Sequence, residues 1–194
     1  MDHDVRVKCC IVGDFGVGKT SLVYSWMNHP LDGIQSTLGI DFFSKMVYMG
    51  QRAVRVSLWD TAGAERFRSL MYSYLRDAQV IFVIYDRTNP HAMHTLTKWM
   101  RIVEQHAPAV VAVLGNKSDL STATAHAVAE TLEPYRRMRW EMITGHVSSR
   151  RPETFSRMFK KCLERICPEE DQTPPNLNTV RMAPRKRSRR TCCA

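Results

Sequence analysis

The run Gly13-Asp14-Phe15-Gly16-Val17-Gly18-Lys19-Thr20 follows the pattern G-x-x-x-x-G-K-[ST]. Residues of these types at this spacing can wrap a chain of phosphates. The glycines let backbone N–H groups converge on phosphate oxygens, and a helix starting at the end of the run would add partial positive charge. Lys19 would reach the β- and γ-phosphates, and the Thr20 hydroxyl would ligate Mg²⁺. Two later runs suit the same task. In Asp60-Thr61-Ala62-Gly63, an aspartate at a strand end can hold Mg²⁺ through water, and Gly63 can offer its N–H to a γ-phosphate. In Asn116-Lys117-Ser118-Asp119, the carboxylate can accept two hydrogen bonds from the N1–H and N2–H₂ edge of guanine, with Lys117 along the base. Adenine lacks that pair of donors, so a buried Asp119 would reject it. D-x-x-G alone is a weak signal that is usually a turn, and N-K-x-D alone is moderately specific. The three in this order make a strong one.

The elements that must hold these runs are legible from periodicity. Val5 to Val12 is apolar, partly alternating and ends at glycine, which reads as a strand leading into the first run. Thr20 to Asn28 carries Leu22, Val23 and Trp26 on one face and reads as the helix that follows. Phe42 to Met49 and Ala53 to Trp59 are strand-like and separated by Gly50-Gln51, a hairpin signal. Val80 to Tyr85 and Val110 to Leu114 are short and wholly apolar, as strands buried on both faces are. Ala92, Leu96, Trp99, Met100 and Val103 recur at helical spacing, as do Phe155, Met158, Phe159, Cys162, Leu163 and Ile166 within Glu153 to Cys167. Arg139 to Val147 supplies a weaker last strand. The alternation predicts a three-layer α/β domain over residues 1–167, and residues 168–194 read as a disordered tail with almost nothing to bury.

Taken together, these motifs resemble the Ras-like small GTPases, specifically the Rab branch, over essentially the whole chain. Ser36-Thr37-Leu38-Gly39-Ile40-Asp41-Phe42 is similar to the first switch of that family. Trp59-Asp60-Thr61-Ala62-Gly63-Ala64-Glu65-Arg66-Phe67-Arg68-Ser69-Leu70 is similar to the second, and Tyr74-Leu75-Arg76-Asp77-Ala78 to another Rab signature. The surrounding residues are closest to the Golgi-associated retrograde-trafficking Rabs. The resemblance implies a P-loop NTPase domain with a mostly parallel six-stranded sheet and one antiparallel edge strand. It implies a GTPase, converting GTP to GDP and phosphate, with GTP or GDP and Mg²⁺ as cofactors. Thr37 becomes the second protein ligand of the metal beside Thr20 and Asp60. The implied nucleotide contacts are Asp14, Phe15, Gly16, Val17, Gly18, Lys19, Thr20, Ser21, Thr37, Gly63, Asn116, Lys117 and Asp119. To these is added Ser148-Ser149-Arg150, standing where the family usually has S-A-K, from which a backbone N–H can serve the guanine O6. Phe42, Trp59 and Tyr74 become an aromatic surface read by effectors, beside the plain reading that they pack in the core.

Three residues depart from the family pattern. Ala64 stands where a glutamine usually orients the attacking water, so no residue is assigned as catalytic. Phe15 replaces a small or modestly polar residue beside the γ-phosphate, where a ring would crowd both that water and an arginine finger supplied by an activating protein. Such a finger contributes roughly 10³–10⁵ in rate. Leu31 lies near the place of an aromatic that packs against guanine. These departures predict slow hydrolysis with faster nucleotide release. A partner that supplies the missing glutamine is the alternative, and so is a module that stays GTP-loaded and hydrolyses almost nothing. An ATP-dependent phosphate-loop enzyme is disfavoured by Asn116, Lys117 and Asp119.

Composition agrees with a single domain plus an extension: 194 residues, 44% hydrophobic, 24% charged and a formal charge of +9. No apolar run reaches the length of a membrane span, and Met1-Asp2-His3-Asp4 has neither a signal-peptide core nor a myristoylation glycine. Cys9, Cys10, Cys162 and Cys167 lack zinc or disulfide spacing and read as small buried residues, with Cys9 and Cys10 on opposite faces of a strand. His91 and His94 read as surface residues of one helical turn. The tail gathers Arg181, Arg185, Lys186, Arg187, Arg189 and Arg190 before Cys192-Cys193-Ala194. Adjacent cysteines there are not a C-a-a-X box but resemble the double-geranylgeranyl acceptor of Rabs, and two lipid chains anchor where one does not. A nuclear-localisation signal or a nucleic-acid arm is the competing reading, and the cysteines favour the membrane, with no nucleic acid as partner. The resemblance implies effectors through the two switches, a guanine-nucleotide exchange factor and a GTPase-activating protein whose coupling Phe15 puts in question. It also implies Rab escort protein, geranylgeranyltransferase and GDP-dissociation inhibitor, and a place on the cytoplasmic face of endomembranes, Golgi favoured, with a cytosolic pool.

Overall fold

The computed structural model describes residues 5–62, 68–106, 108–120 and 125–168. Six strands alternate with helices: β1 (Val5–Val12), β2 (Ile40–Met49), β3 (Arg52–Thr61), β4 (Val80–Asp86), β5 (Val110–Asn116) and β6 (Glu141–His146). The helices are α1 (Lys19–Trp26), α2 (Arg68–Leu75), α3 (Ala92–Glu104), α4 (Ala125–Leu132) and α5 (Pro152–Ile166). The strands form one sheet in the order β2-β3-β1-β4-β5-β6, parallel throughout except for the antiparallel β2–β3 pair at one edge. The expected mostly parallel six-stranded sheet with one antiparallel edge strand is therefore present.

The differences from the sequence reading lie at element ends. The β2–β3 ladder runs further than the apolar pattern does, from Met49↔Arg52 beside the hairpin turn to Ile40↔Thr61. That extension places Asp60 and Thr61 on the last two rungs, and the Thr61 hydroxyl donates to the Ile11 carbonyl of β1 at 2.8 Å. The first helix begins at Lys19 and ends at Trp26 rather than Asn28, because Asn28 takes a left-handed conformation at φ 61° that stops it. α2 and α4 were not expected. Each is 8 residues long, as α1 is, but neither follows a glycine-rich run that marks where a helix must start.

Two apolar layers sandwich the sheet. On one face Leu22, Val23 and Trp26 of α1 and Phe155, Phe159, Cys162 and Leu163 of α5 cover Val7, Cys9, Ile11, Phe82 and Ile84. On the other, Leu96, Trp99, Met100 and Val103 of α3 cover Cys10, Val12, Ile81 and Val83. The two-residue period of the strands decides this split, so Cys9 and Cys10 face opposite layers as expected. All four described cysteines are free and buried, and His91 and His94 are exposed. Trp26 stacks on Phe159 at 4.5 Å and 8°, a pairing that adds about 1 kcal/mol beyond simple burial. No helix among the described residues is long and apolar enough to cross a membrane.

This topology dictates where chemistry can happen. β1 is flanked by β3 and β4, reached by connections that leave in opposite directions. Such a switch point opens a crevice beyond the carboxyl ends of the strands. The glycine-rich run after β1, Asp60-Thr61-Ala62 at the end of β3, Asn116-Lys117-Ser118-Asp119 after β5 and Ser148-Ser149-Arg150 after β6 all lie there.

Candidate functional site

The phosphate loop starts where β1 runs out of room. At Gly13 (φ 146°) a β-carbon would collide with the Ile84 carbonyl oxygen, and at Gly18 (φ 91°) it would lie 2.5 Å from Asn116 Nδ2. Only glycine lets the chain turn this tightly between two strands. α1 then begins at Lys19, so its first-turn N–H groups point at the hollow of the loop. Lys19 is 5% exposed, and its Nζ donates to the Gly13 and Asp14 carbonyls at 2.9 Å each. Burial pulls the Lys19 ammonium down to about 8, against the opposing attraction of Asp60 and Asp14. A cavity of about 220 Å³ opens between Phe15, Gly16, Gly18 and Ser21 on one side and Ile34, Gln35, Ser36 and Thr37 on the other. Phe15 is 69% exposed on its rim, and Leu31 is half-buried in the segment leading to this wall.

Three expected metal ligands meet at the floor. Thr20 Oγ1 donates to Asp60 Oδ2 at 2.6 Å and lies 2.7 Å from Thr37 Oγ1. With the Thr20 proton committed to Asp60, Thr37 is the donor to Thr20. Asp60 is fully buried, and its Oδ1 has no hydrogen-bond partner. Burial raises its carboxyl to about 6, although the Thr20 hydrogen bond and Lys19 pull the other way. An orphaned carboxylate oxygen beside two hydroxyls is a donor set for a hard divalent cation, so these residues fit Mg²⁺. Thr20, Thr37 and Asp60 would hold it, and the ion would supply charge to screen phosphate oxygens.

The far side of the crevice is organised differently. Asn116 is buried at the end of β5 and donates from Nδ2 to the Val17 carbonyl at 2.8 Å, while its Oδ1 has no partner. Lys117 follows in a left-handed conformation (φ 62°) and places Nζ 2.6 Å from Asp86 Oδ2. Asp86 also accepts from the Thr88 backbone N–H and hydroxyl at 2.9 and 2.7 Å. Burial alone would raise the Asp86 carboxyl, but these hydrogen bonds outweigh it and hold it below the usual carboxylate range. Asp119 Oδ1 accepts from Ser148 Oγ at 2.6 Å, and Arg150 stands 3.6 Å from Oδ2. The Ser148 hydrogen bond is the main reason that the Asp119 carboxyl also lies low. Ser148 is fully buried and in turn accepts from the Arg150 backbone N–H at 3.1 Å, with half-buried Ser149 between them. The expectation of a buried Asp119 needs correction. Its side chain keeps 16% exposure, with Ser148 on Oδ1 and Arg150 near Oδ2.

A sequence model of the Ras family matches residues 8–167. The chain belongs to the Ras family. Small GTPases of this family bind GTP and GDP, typically with Mg²⁺, and act as switches whose partners are effectors, exchange factors and activating proteins. The crevice of this small GTPase has two differently built ends: one on β1 and β3, where the expected phosphate contacts lie, and one on β5 and the loop after β6, where the expected base contacts lie. They are named the phosphate end and the base end after those expectations.

Other expected residues of the GTPase fall as follows. Phe42 and Trp59 are cross-strand partners with ring centres 4.8 Å apart, and Tyr74 lies 5.0 Å beyond Trp59. The three rings make one row from β2 through β3 to α2, with Phe42 exposed and the other two half-buried. Residues 63–67 of the second switch run, Gly63 and Ala64 among them, and the tail with Cys192 and Cys193 lie outside the described residues. Sequence reasoning missed two groups. Asp86 braces Lys117, and the Trp99 indole N–H donates to Asp14 Oδ1 at 2.7 Å. Asp86 ends an apolar strand and Trp99 sits in a helix stripe, and both partners are remote in sequence. The end position of Asp86, next to the crevice, is the one local signal that could have found it.

Proposed function

We propose that this small GTPase is of the Rab type: a membrane-anchored switch that recruits vesicle-trafficking effectors when loaded with GTP and turns over slowly. The observation that carries slow turnover is Phe15, whose exposed ring lines the cavity opposite the Ile34–Thr37 wall. A ring in that position occupies the approach that an attacking water and an arginine finger both need. Ala64 compounds the effect by removing the usual water-orienting amide. The aromatic row of Phe42, Trp59 and Tyr74 supports the Rab reading, since it offers a preformed apolar strip between the two switch runs. The nucleotide would rest on residues 14–21 with Thr37, Gly63, Asn116, Lys117, Asp119 and the Ser148–Arg150 turn. In this reading residues 168–194 form a tail, Cys192 and Cys193 carry geranylgeranyl chains, and Arg181 to Arg190 add attraction to anionic lipid on the cytoplasmic face of endomembranes, the Golgi foremost.

Single-turnover GTP hydrolysis tests the proposal on wild type, Phe15→Ser and Ala64→Gln, each with and without a Rab-type activating protein. Wild type should be slow, and at least one variant should gain about tenfold or more, a part of the roughly 10³–10⁵ that a working finger contributes. A wild type as fast as ordinary members of the family, and normally stimulated, would remove the slow-turnover half. A wild type that hydrolyses nothing under any condition, and that emerges from cells fully GTP-loaded, would make it a GTP-bound platform instead. Unmodified Cys192 and Cys193 in the mass spectrum of native protein would count against anchoring.

A further inference from the structure

The phosphate loop is fastened from two sides. From within, Lys19 Nζ donates to the Gly13 and Asp14 carbonyls. From outside, Trp99 Nε1 donates to Asp14 Oδ1 at 2.7 Å. The two fasteners differ in what a ligand does to them. Lys19 is the cation that a phosphate draws upon, so its grip on the loop is shared with whatever is bound. Trp99 has no such competitor. It is 5% exposed, on α3 between Leu96, Met100 and Val103, each of which is fully buried. Its indole has a single N–H to give, and the receiving carboxylate is charged, so the bond is of the stronger, charge-assisted kind.

The position of the clamp matters as much as its strength. Asp14 lies between Gly13, whose backbone already abuts the Ile84 carbonyl, and Phe15, whose ring stands in the open. Gly13 cannot give way inward, and Trp99 keeps Asp14 from swinging outward. The N–H groups that follow are thereby held facing the hollow whether or not it is filled. Preorganisation of this sort raises affinity by removing the ordering that binding would otherwise require.

We propose that Trp99 is a positioning residue for nucleotide retention, acting through Asp14 to hold the phosphate loop in its receptive form. The inference rests on guanine-nucleotide binding at this loop. The test uses the full chain loaded with a fluorescent GDP analogue, whose release is followed after adding excess GDP. Wild type is compared with Trp99→Phe, Asp14→Ala, Asp14→Asn and the double variant Trp99→Phe/Asp14→Ala. Trp99→Phe keeps a ring in the core but loses the donor, and Asp14→Asn keeps an accepting oxygen. Trp99→Phe and Asp14→Ala should each speed release about tenfold, as loss of a hydrogen bond to a charged group does. The double variant should be no faster than either single one, and Asp14→Asn, which keeps an acceptor for the indole, should release more slowly than Asp14→Ala. Unchanged release in Trp99→Phe overturns the proposal. So does a double variant in which the two effects multiply, or a lowered melting temperature with release untouched, which would make Trp99 a core residue alone. A wild type that fails to load the analogue at all would sink guanine-nucleotide binding itself, and this inference with it.

Discussion

At the phosphate end Asp60 is fully buried with one oxygen unpartnered, whereas at the base end Asp119 keeps a partly exposed carboxylate with Ser148 on one oxygen and Arg150 near the other. Burial pushes Asp60 up to about 6, and hydrogen bonding holds Asp119 low. The first end is thus incomplete by itself and depends on a cation and phosphates to satisfy what the fold has buried. The second is already charged and aimed, and loses little by waiting. In the proposed reading, strong and chemically indiscriminate grip comes from the first, and discrimination between bases from the second.

The largest effect should follow from removing the buried cation of the phosphate end. Lys19→Ala should weaken GDP by about 10³-fold, since it takes away several charged hydrogen bonds at once. Equilibrium binding measures this, and a loss below tenfold would mean that the loop amides alone hold the phosphates. Next comes Asp119→Asn, which replaces an acceptor pair by a donor and an acceptor. It should cost about 10²-fold in guanine affinity while leaving Mg²⁺ dependence intact. Equal loss of both would show that the two ends are not separable.

The ends should also titrate differently. Because Asp60 is raised to about 6, protons compete with the cation below that pH, so Mg²⁺ affinity should fall by about tenfold per pH unit on acidification and stay level above it. Asp119 lies below its ordinary value, so guanine selectivity should remain flat over the same range. Metal titrations and GDP-against-ADP competition between pH 5 and 8 would reveal both trends, and a common break near 6 would contradict the assignment. The smallest effect belongs to Arg150→Ala. The Arg150 side chain is 76% exposed and its guanidinium lies 3.6 Å from Asp119, an arrangement worth little in water. GDP release should change by less than about twofold, and a larger change would give Arg150 a direct part in holding the base.

Much of this site was legible from residue order alone. The glycine spacing around Lys19 requires a turn that few other sequences make, and Asp60 and Asn116 announce themselves by ending apolar strands. β4 and β5 were readable because strands covered on both faces carry no polar residue until their last position. What escaped was of two kinds. α2 and α4 are brief, and propensity summed over so few residues says little against tertiary packing. Trp99 and Asp86 have ordinary local settings. Their roles come from partners far along the chain, Asp14 and Lys117, brought near by the parallel crossovers. Asp119 was misjudged in depth for a related reason, since its brace, Ser148, arrives from the loop after β6.

Asn116 has a consequence for how the pocket empties. Its amide N–H is given to the Val17 carbonyl, so the strand that presents the base-reading residues is tied to the loop that wraps the phosphates. Displacing that strand end displaces the loop as well. For an exchange factor this is a point of leverage: in the proposed reading, a push applied after β5 reaches the loop after β1 through the Asn116–Val17 hydrogen bond.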